Sequence, residues 1–310
     1  MPAAIATSRK TRQQPGRAAP PREQLVLAPA ERLDAILGVI RSARRELTLS
    51  MFRCDDFRVL DELAECLQRG VKVRALLTRR AKGWRKRLKQ LWRFLKSMGA
   101  EVHRYGDRVV KYHAKYIVAD DGPALVASLN FTRKCFTDTS DFLHITYDRE
   151  VVEGLTRLYE TDCDAKESSL PEGLTDRLIV GPHRARAQFT ALLEQARKSI
   201  RIIDPKLTDP AIVNLLRAQK AAGLTVEVLR KAKVGNLVSH GKMMVIDDEV
   251  AVIGSISLAA LAMDFRREVG LVIHDPASVR QLAGFFQEMA AQRTSLSKVF
   301  SARKRRKAPP

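Results

Sequence analysis

The sequence contains no long apolar run. Its apolar stretches, Leu258 to Met263 among them, fall far short of the roughly 18–20 residues that a membrane span requires, which argues against a spanning helix. The first residues carry no apolar core of the roughly 7–15 residues that a secretory signal needs, so none is expected. Cysteine is scarce: Cys54, Cys66, Cys135 and Cys163 form no C-x-x-C pair. That spacing points to neither a disulfide framework nor a zinc site and fits a reducing, cytoplasmic setting. Aromatic residues are 6% of the chain and do not interleave with its basic runs, so platforms for stacking single-stranded bases are not evident. Acidic residues are missing from one whole stretch, residues 79–96, which holds nine lysines and arginines.

What is present suffices for a core. The chain has 310 residues, 45% hydrophobic and 29% charged, which excludes a wholly disordered protein. At roughly 100–200 residues per domain, two units are expected. The formal net charge is +20, of which residues 1–24 carry +4, residues 79–96 carry +9 and residues 301–310 carry +5. The body is therefore nearly neutral. Such basic blocks attract polyanions, either nucleic acid or an anionic membrane surface. Residues 1–24 and 299–310 read as basic flexible tails, which could also serve solubility alone.

The chain also repeats itself. Pro29, Ala43 and Gly70 recur as Pro182, Ala196 and Gly223, each 153 residues later. Each copy reads as helix, strand, helix, strand. Further on, "YHAKYIVAD" matches "SHGKMMVID" at an offset of 127, so the first copy carries an insertion of 26 residues, and the basic stretch lies inside it. The expected organisation is a first unit over residues 25–168, with a basic amphipathic insert at about 79–105, and a second unit over 169–298. Strands alternating with helices favour an α/β fold, with largely parallel or mixed sheets flanked by helices.

Each copy contains His-x-Lys followed after four residues by Asp: His113, Lys115 and Asp120, then His240, Lys242 and Asp247. The apolar residues around them read as buried strand, so each His and Lys share one face. Asp120 and Asp247 have the opposite parity and should stabilise the strand end or its turn. A small polar pair follows in each copy, Ser128 and Asn130, then Ser255 and Ser257, the second of each pair seventeen residues after its histidine. Eleven residues later comes a carboxylate, Asp141 or Glu268. A single His on a strand is usually a core residue, but these elements recur in one order and one spacing.

On these residues the chain resembles the phospholipase D superfamily, whose signature is H-x-K-x4-D followed by G-S-x-N, with two copies forming one active site. The resemblance spans roughly residues 25–295. It implies two fused, pseudo-twofold-related α/β/α units with mixed sheets. Two positions depart from the pattern: Ala127 stands for the Gly before Ser128, and Ser257 stands for the second Asn.

These residue types suit attack on a phosphodiester. A neutral imidazole can act as nucleophile and form a phosphohistidine, while a protonated one gives its proton to the leaving alcohol. The resemblance implies His113 as nucleophile and His240 as acid. Lys115, Lys242, Ser128, Asn130, Ser255 and Ser257 would hold the non-bridging oxygens. Asp141 and Glu268 would each accept from an imidazole and fix its tautomer. This set requires no metal and no other cofactor, and no obligate protein partner is evident.

The substrate class rests on the insert. Trp84, Leu88, Leu91, Trp92 and Leu95 fall on one helical face, with Arg85, Lys86, Lys89, Arg93 and Lys96 around the rest. Such a helix can lie on an anionic membrane, and it can equally pack its apolar stripe on the first unit. The expected activity is phosphatidyl hydrolysis or transfer to an alcohol, as in cardiolipin synthase relatives, by a protein peripheral at the inner face of the membrane. The alternative is a phosphodiesterase acting on DNA or RNA without a metal. A third reading, a catalytically silent protein that binds anionic surfaces, draws support from Ser257 alone.

Overall fold

A computed structural model describes residues 23–305, apart from 165, 231, 232 and 235. The first unit runs β1 (Glu23–Val26), α1 (Pro29–Ser42), β2 (Glu46–Met51), α2 (Phe57–Gln68), β3 (Lys72–Leu77), α3 (Arg85–Ser97) and β4 (Glu101–Arg104). It continues through β5 (Lys111–Tyr112), β6 (Tyr116–Ala119), β7 (Ala124–Ala127), α4 (Arg133–Thr137), β8 (Thr139–Ser140), β9 (Leu143–Thr146) and α5 (Arg149–Asp164). The second unit opens with β10 (Leu178–Val180), α6 (Ala185–Glu194), β11 (Ser199–Ile203), α7 (Pro210–Ala221) and β12 (Thr225–Leu229). It ends with β13 (Lys233–Val234), β14 (Leu237–Ser239), β15 (Lys242–Ile246), β16 (Val250–Gly254), α8 (Ala260–Phe265), β17 (Arg266–Arg267), β18 (Val269–Ile273) and α9 (Pro276–Arg305).

Local chemistry sets the repeated elements. Proline opens α1 and α7, where its missing N–H costs no helical hydrogen bond. Asp56 and Asp209 cap α2 and α7 by accepting from backbone N–H groups. Gly70 and Gly223 follow those two helices at φ of 81° and 98°, in the left-handed region that glycine enters without a Cβ penalty. The duplicated helix–strand–helix–strand pattern is thus a pair of matching backbone solutions.

The two sheets have corresponding orders. The first is β1-β9-β7-β6-β2-β3-β4 and the second is β10-β18-β16-β15-β11-β12. Both are mixed: β2, β3 and β4 are parallel, as are β11 and β12, and the remaining pairs are antiparallel. The insertion accounts for the difference, because α3 and β4 add a seventh strand to the edge of the first sheet. An outer core in each unit packs one face of its sheet under helices, α1 to α4 in the first and α6 to α8 in the second. A third core lies between the sheets and takes residues from both, together with α5 and α9. The result is the expected pair of fused α/β/α units, with the middle helical layer shared.

Two sequence expectations need correction. Strand β1 begins at Glu23, inside the segment read as a tail, because Glu23 and Gln24 pair with Thr146 and Ile145. Helix α9 continues to Arg305, past the boundary drawn at 299. The rest of both tails lies outside the described residues. On α3 the packed reading of the apolar stripe holds, with both tryptophans half-buried. Leu88, Leu91 and Leu95 are buried, Trp84 packs with Phe52 and Ala81, and Trp92 lies on the outer core with Arg104 over its ring at 4.2 Å.

Candidate active site

Two short parallel bridges join the units. Lys111–Tyr112 of β5 pairs with Arg266–Arg267 of β17, and Val238–Ser239 of β14 pairs with Thr139–Ser140 of β8. The two bridges are related by the same offset of 127 that relates the histidine motifs. Each bridge delivers one histidine beside the other unit's carboxylate. His113 donates its backbone N–H to the Arg267 carbonyl at 2.8 Å, and Gly241, next to His240, donates to the Ser140 carbonyl at 2.7 Å.

The imidazole–carboxylate pairs are therefore crossed. His113 Nδ1 lies 2.5 Å from Glu268 Oε1, and His240 Nδ1 lies 2.9 Å from Asp141 Oδ1. Both carboxylates are fully buried, while the rings keep some exposure. His240 Nδ1 is hydrogen-bonded to Asp141, and His113 Nδ1 lies against Glu268 and Lys115 Nζ, which leaves Nε2 of each ring for a reacting atom. Sequence spacing places a carboxylate after each histidine but does not say that it serves the other one.

The two halves differ in support. Ser128 donates to Asp141 Oδ1 and Thr139 to Oδ2, both at 2.6 Å. Burial pushes Asp141 up, but His240 and these hydroxyls outweigh it and hold the carboxyl below its usual range. No hydroxyl donates to Glu268 among the described residues, and burial raises it to about 7 despite Lys115, Arg266 and Lys242. His113 is held well below 6.5 by burial first and by Lys115 and Lys242 next. His240 is also lowered by burial, with Asp141 opposing.

Lys115 is buried, with Nζ 2.5 Å from the His113 carbonyl and 3.2 Å from its Nδ1. Burial drives its pKa well below 10.5. Lys242 donates to the His240 carbonyl at 2.8 Å. Asp120 accepts from the backbone N–H groups of Arg44, Arg45 and Glu46, and Asp247 from those of Arg197, Lys198 and Ser199. Both therefore lock the far end of the motif strand to the start of its neighbour.

The small polar residues divide. Asn130 is buried, its amide nitrogen 4.0 Å from Cys135 Sγ and its Oδ1 without a hydrogen-bond partner among the described residues. The three serines do not offer the phosphate-facing protons expected of them. Ser128 gives its proton to Asp141, Ser255 donates to the Val269 carbonyl at 3.3 Å, and Ser257 donates to Asp204 at 2.7 Å. Each hydroxyl is spent on holding the scaffold. The second copy's Ser has its own acceptor, Asp204, which also takes the Leu258 N–H.

Several site residues carry no repeated signal. Phe52 packs against His113 with the rings tilted at 59° and their centroids 4.4 Å apart. The buried Arg32 ties the carbonyls of Cys135, Thr139 and Asp141. Cys135 Sγ, an Asp141 oxygen and a His240 nitrogen all lie within 4.8 Å of one another, the one donor group of metal-ligating type among the described residues, although Asp141 is already engaged. Lys111, Lys206, Arg53 and Arg266 add positive charge around the histidines; burial and their mutual repulsion lower Lys111.

A family model for "Cardiolipin synthase, PLD-like domain" matches residues 36–163 and 229–290, more than half of the chain. The chain belongs to the phospholipase D superfamily. Among curated proteins no sequence matches it. Among solved structures this superfamily member is similar to polyphosphate kinase from Porphyromonas gingivalis, with 17% identity and a TM-score of 0.70 over 86% of this chain. The chain spans only 46% of that kinase. It is also similar to phosphatidylserine synthase from Haemophilus influenzae, with 15% identity and a TM-score of 0.65, covering 88% of this chain and 86% of that one. Nuc, a phospholipase D family member from Salmonella typhimurium, matches 45% of this chain with 17% identity and a TM-score of 0.41. No helix among the described residues is long and apolar enough to cross a membrane.

Proposed function

We propose that this phospholipase D superfamily protein cleaves a phospholipid phosphodiester and passes the phosphatidyl group to water or to an alcohol. The crossed imidazole–carboxylate pairs carry the chemical part of this reading. His113 Nε2 attacks phosphorus, the N–P bond forms, and the bond from phosphorus to the headgroup oxygen breaks. His240 gives that oxygen its proton. In the second half His240 takes a proton from the incoming water or alcohol, whose oxygen displaces His113 from phosphorus. The ionised Asp141 beside His240 suits a ring that must carry charge, and the heavily buried His113 suits a neutral nucleophile. Lys115, Lys242 and the Asn130 amide supply charge and donors for the non-bridging oxygens.

The lipid part draws support from the family match and from the likeness to phosphatidylserine synthase over most of both chains. Headgroup-labelled phosphatidylglycerol in vesicles tests both parts. Release of label is expected from the parent, with loss to background in His113→Ala and in His240→Ala. Rapid alkaline quench, which preserves a phosphorus–imidazole bond, should leave a phosphatidyl adduct on His113. Cleavage of single-stranded DNA that depends on the same histidines, without lipid turnover, would replace phospholipid by nucleic acid as the substrate.

A further inference from the structure

Helix α3 stands between two grooves of opposite character. On one side a concavity of about 670 Å³ is lined by Arg79, Arg80, Lys82, Arg85, Lys89 and Arg104, with no acidic residue in its wall. It lies at the C-terminal ends of β3 and β4 and beside the N-terminus of α3, where ligands of parallel sheets and anions are favoured. Among the described residues, Arg87 is the one cation of residues 79–96 that forms an ion pair, with Asp55. A cationic concavity without counter-charges repels itself and is neutralised by an external anion.

On the other side α3 and α2 enclose a groove of about 740 Å³ with Phe57, Leu60, Leu91 and Phe94 in its lining. Phe57 is 75% exposed, the most of any large apolar residue described, and Phe94 is 41% exposed. Exposed aromatic groups beside unpaired cations match the two layers of an anionic bilayer surface, acyl boundary and phosphates. The cationic groove also borders the catalytic centre. Ala81 and Leu88 from its wall pack on Phe52, whose ring lies on His113.

We infer that the α2–α3 face docks on an anionic lipid surface, with lipid phosphates in the Arg85–Lys89 groove and Phe57 and Phe94 at the acyl boundary. The inference rests on the phospholipid reading for its purpose: docking here brings the histidine cleft to the substrate. Its test needs no turnover, so the two can fail separately. Full-length protein is sedimented with vesicles of phosphatidylcholine alone and of phosphatidylcholine mixed with phosphatidylglycerol. The parent should partition onto the mixed vesicles and scarcely onto the neutral ones. Each Lys or Arg near such a surface contributes about 1 kcal/mol, so Arg85→Glu with Lys89→Glu should weaken partitioning at least about tenfold.

Phe57→Ser with Phe94→Ser should weaken it further at high salt, where the charge contribution is screened. These side chains are exposed, so melting curves should show that the variants fold. Both basic tails remain in every protein compared, so a difference belongs to this face. Equal partitioning of parent and both double variants would overturn the inference. So would preferential capture of single-stranded DNA by the Arg85–Lys89 groove, with vesicles displaced.

Discussion

Glu268 is the least supported member of the site. It is wholly buried, pushed up to about 7, and paired with a histidine that is itself held well below its ordinary value. In the proposed reaction, at pH above about 7 the carboxylate would accept the His113 Nδ1 proton and aim Nε2 at phosphorus. As pH falls through that value Glu268 takes up a proton and stops being an acceptor. The acid limb of the rate should therefore centre near pH 7. Glu268→Gln should lower kcat by about 10²–10⁴-fold and remove that limb from the profile. A parent profile level from about pH 6 to 8, with reacting groups of ordinary pKa, would contradict this.

The same shift has a consequence for stability. The folded carboxyl sits above its ordinary 4.5, so the protonated form favours the folded state. That contribution is present at low pH and is lost as pH rises through about 7. Glu268→Gln, which cannot ionise, should melt higher than the parent at about pH 8 and alike at about pH 4, below the ordinary carboxyl value.

At the scale of elements, the motif strands were the most legible part of the chain. Two copies with one spacing exposed both His-x-Lys strands, the Asp turns and the carboxylates that follow. Legibility ended where a residue occurs in one copy alone. Arg32 corresponds to Ala185 and Phe52 to Pro205 at the 153 offset, and Thr139 and Cys135 to Arg266 and Ala262 at the 127 offset. Comparing the halves therefore could not find them. The serines misled for another reason: sequence shows a hydroxyl but not where its one proton goes. The two glycine positions show what the strands tolerate. Gly254 has φ of 146°, and a Cβ there would press on the Val269 carbonyl, whereas Ala127 occupies the matching position in an ordinary strand.

Gly241, between His240 and Lys242, matches Ala114. A Cβ on Gly241 would lie 2.6 Å from the Phe142 ring and 2.9 Å from the Ser140 carbonyl. Those residues flank Asp141, so the push falls on the carboxylate that orients His240. Gly241→Ala should cost about 1–3 kcal/mol of stability and lower kcat more than KM. Ala114→Gly in the other copy should cost about 0.5–1 kcal/mol. Equal, mild effects of both changes on melting and kinetics would show that Phe142 moves aside freely.

At the scale of the whole molecule, crossing the carboxylates makes each unit's histidine depend on the other unit, so the interface is part of the proposed chemistry. Besides the histidine–carboxylate pairs, a fully buried Asp–Arg pair spans it. Asp162 at the end of α5 faces Arg267 of β17 at 3.0 Å, and both side chains are fully inaccessible. Arg267 also donates to the carbonyls of Ser169 and Gly181, which ties the linker and the second unit to the same point. Its own carbonyl receives the His113 N–H, and the next residue is Glu268. Removing one partner strands a charge in a dry core, so Asp162→Ala should lower stability by about 3–5 kcal/mol in denaturant titration. Replacing both, Asp162→Leu with Arg267→Met, should recover most of that loss, because an apolar pair of similar volume avoids the desolvation cost. The double variant would still lack the guanidinium that fixes the Ser169 and Gly181 carbonyls beside β17. Its kcat should therefore stay below the parent's even where its melting temperature returns. Full recovery of both quantities would mean that β5–β17 pairing alone sets the position of His113 against Glu268.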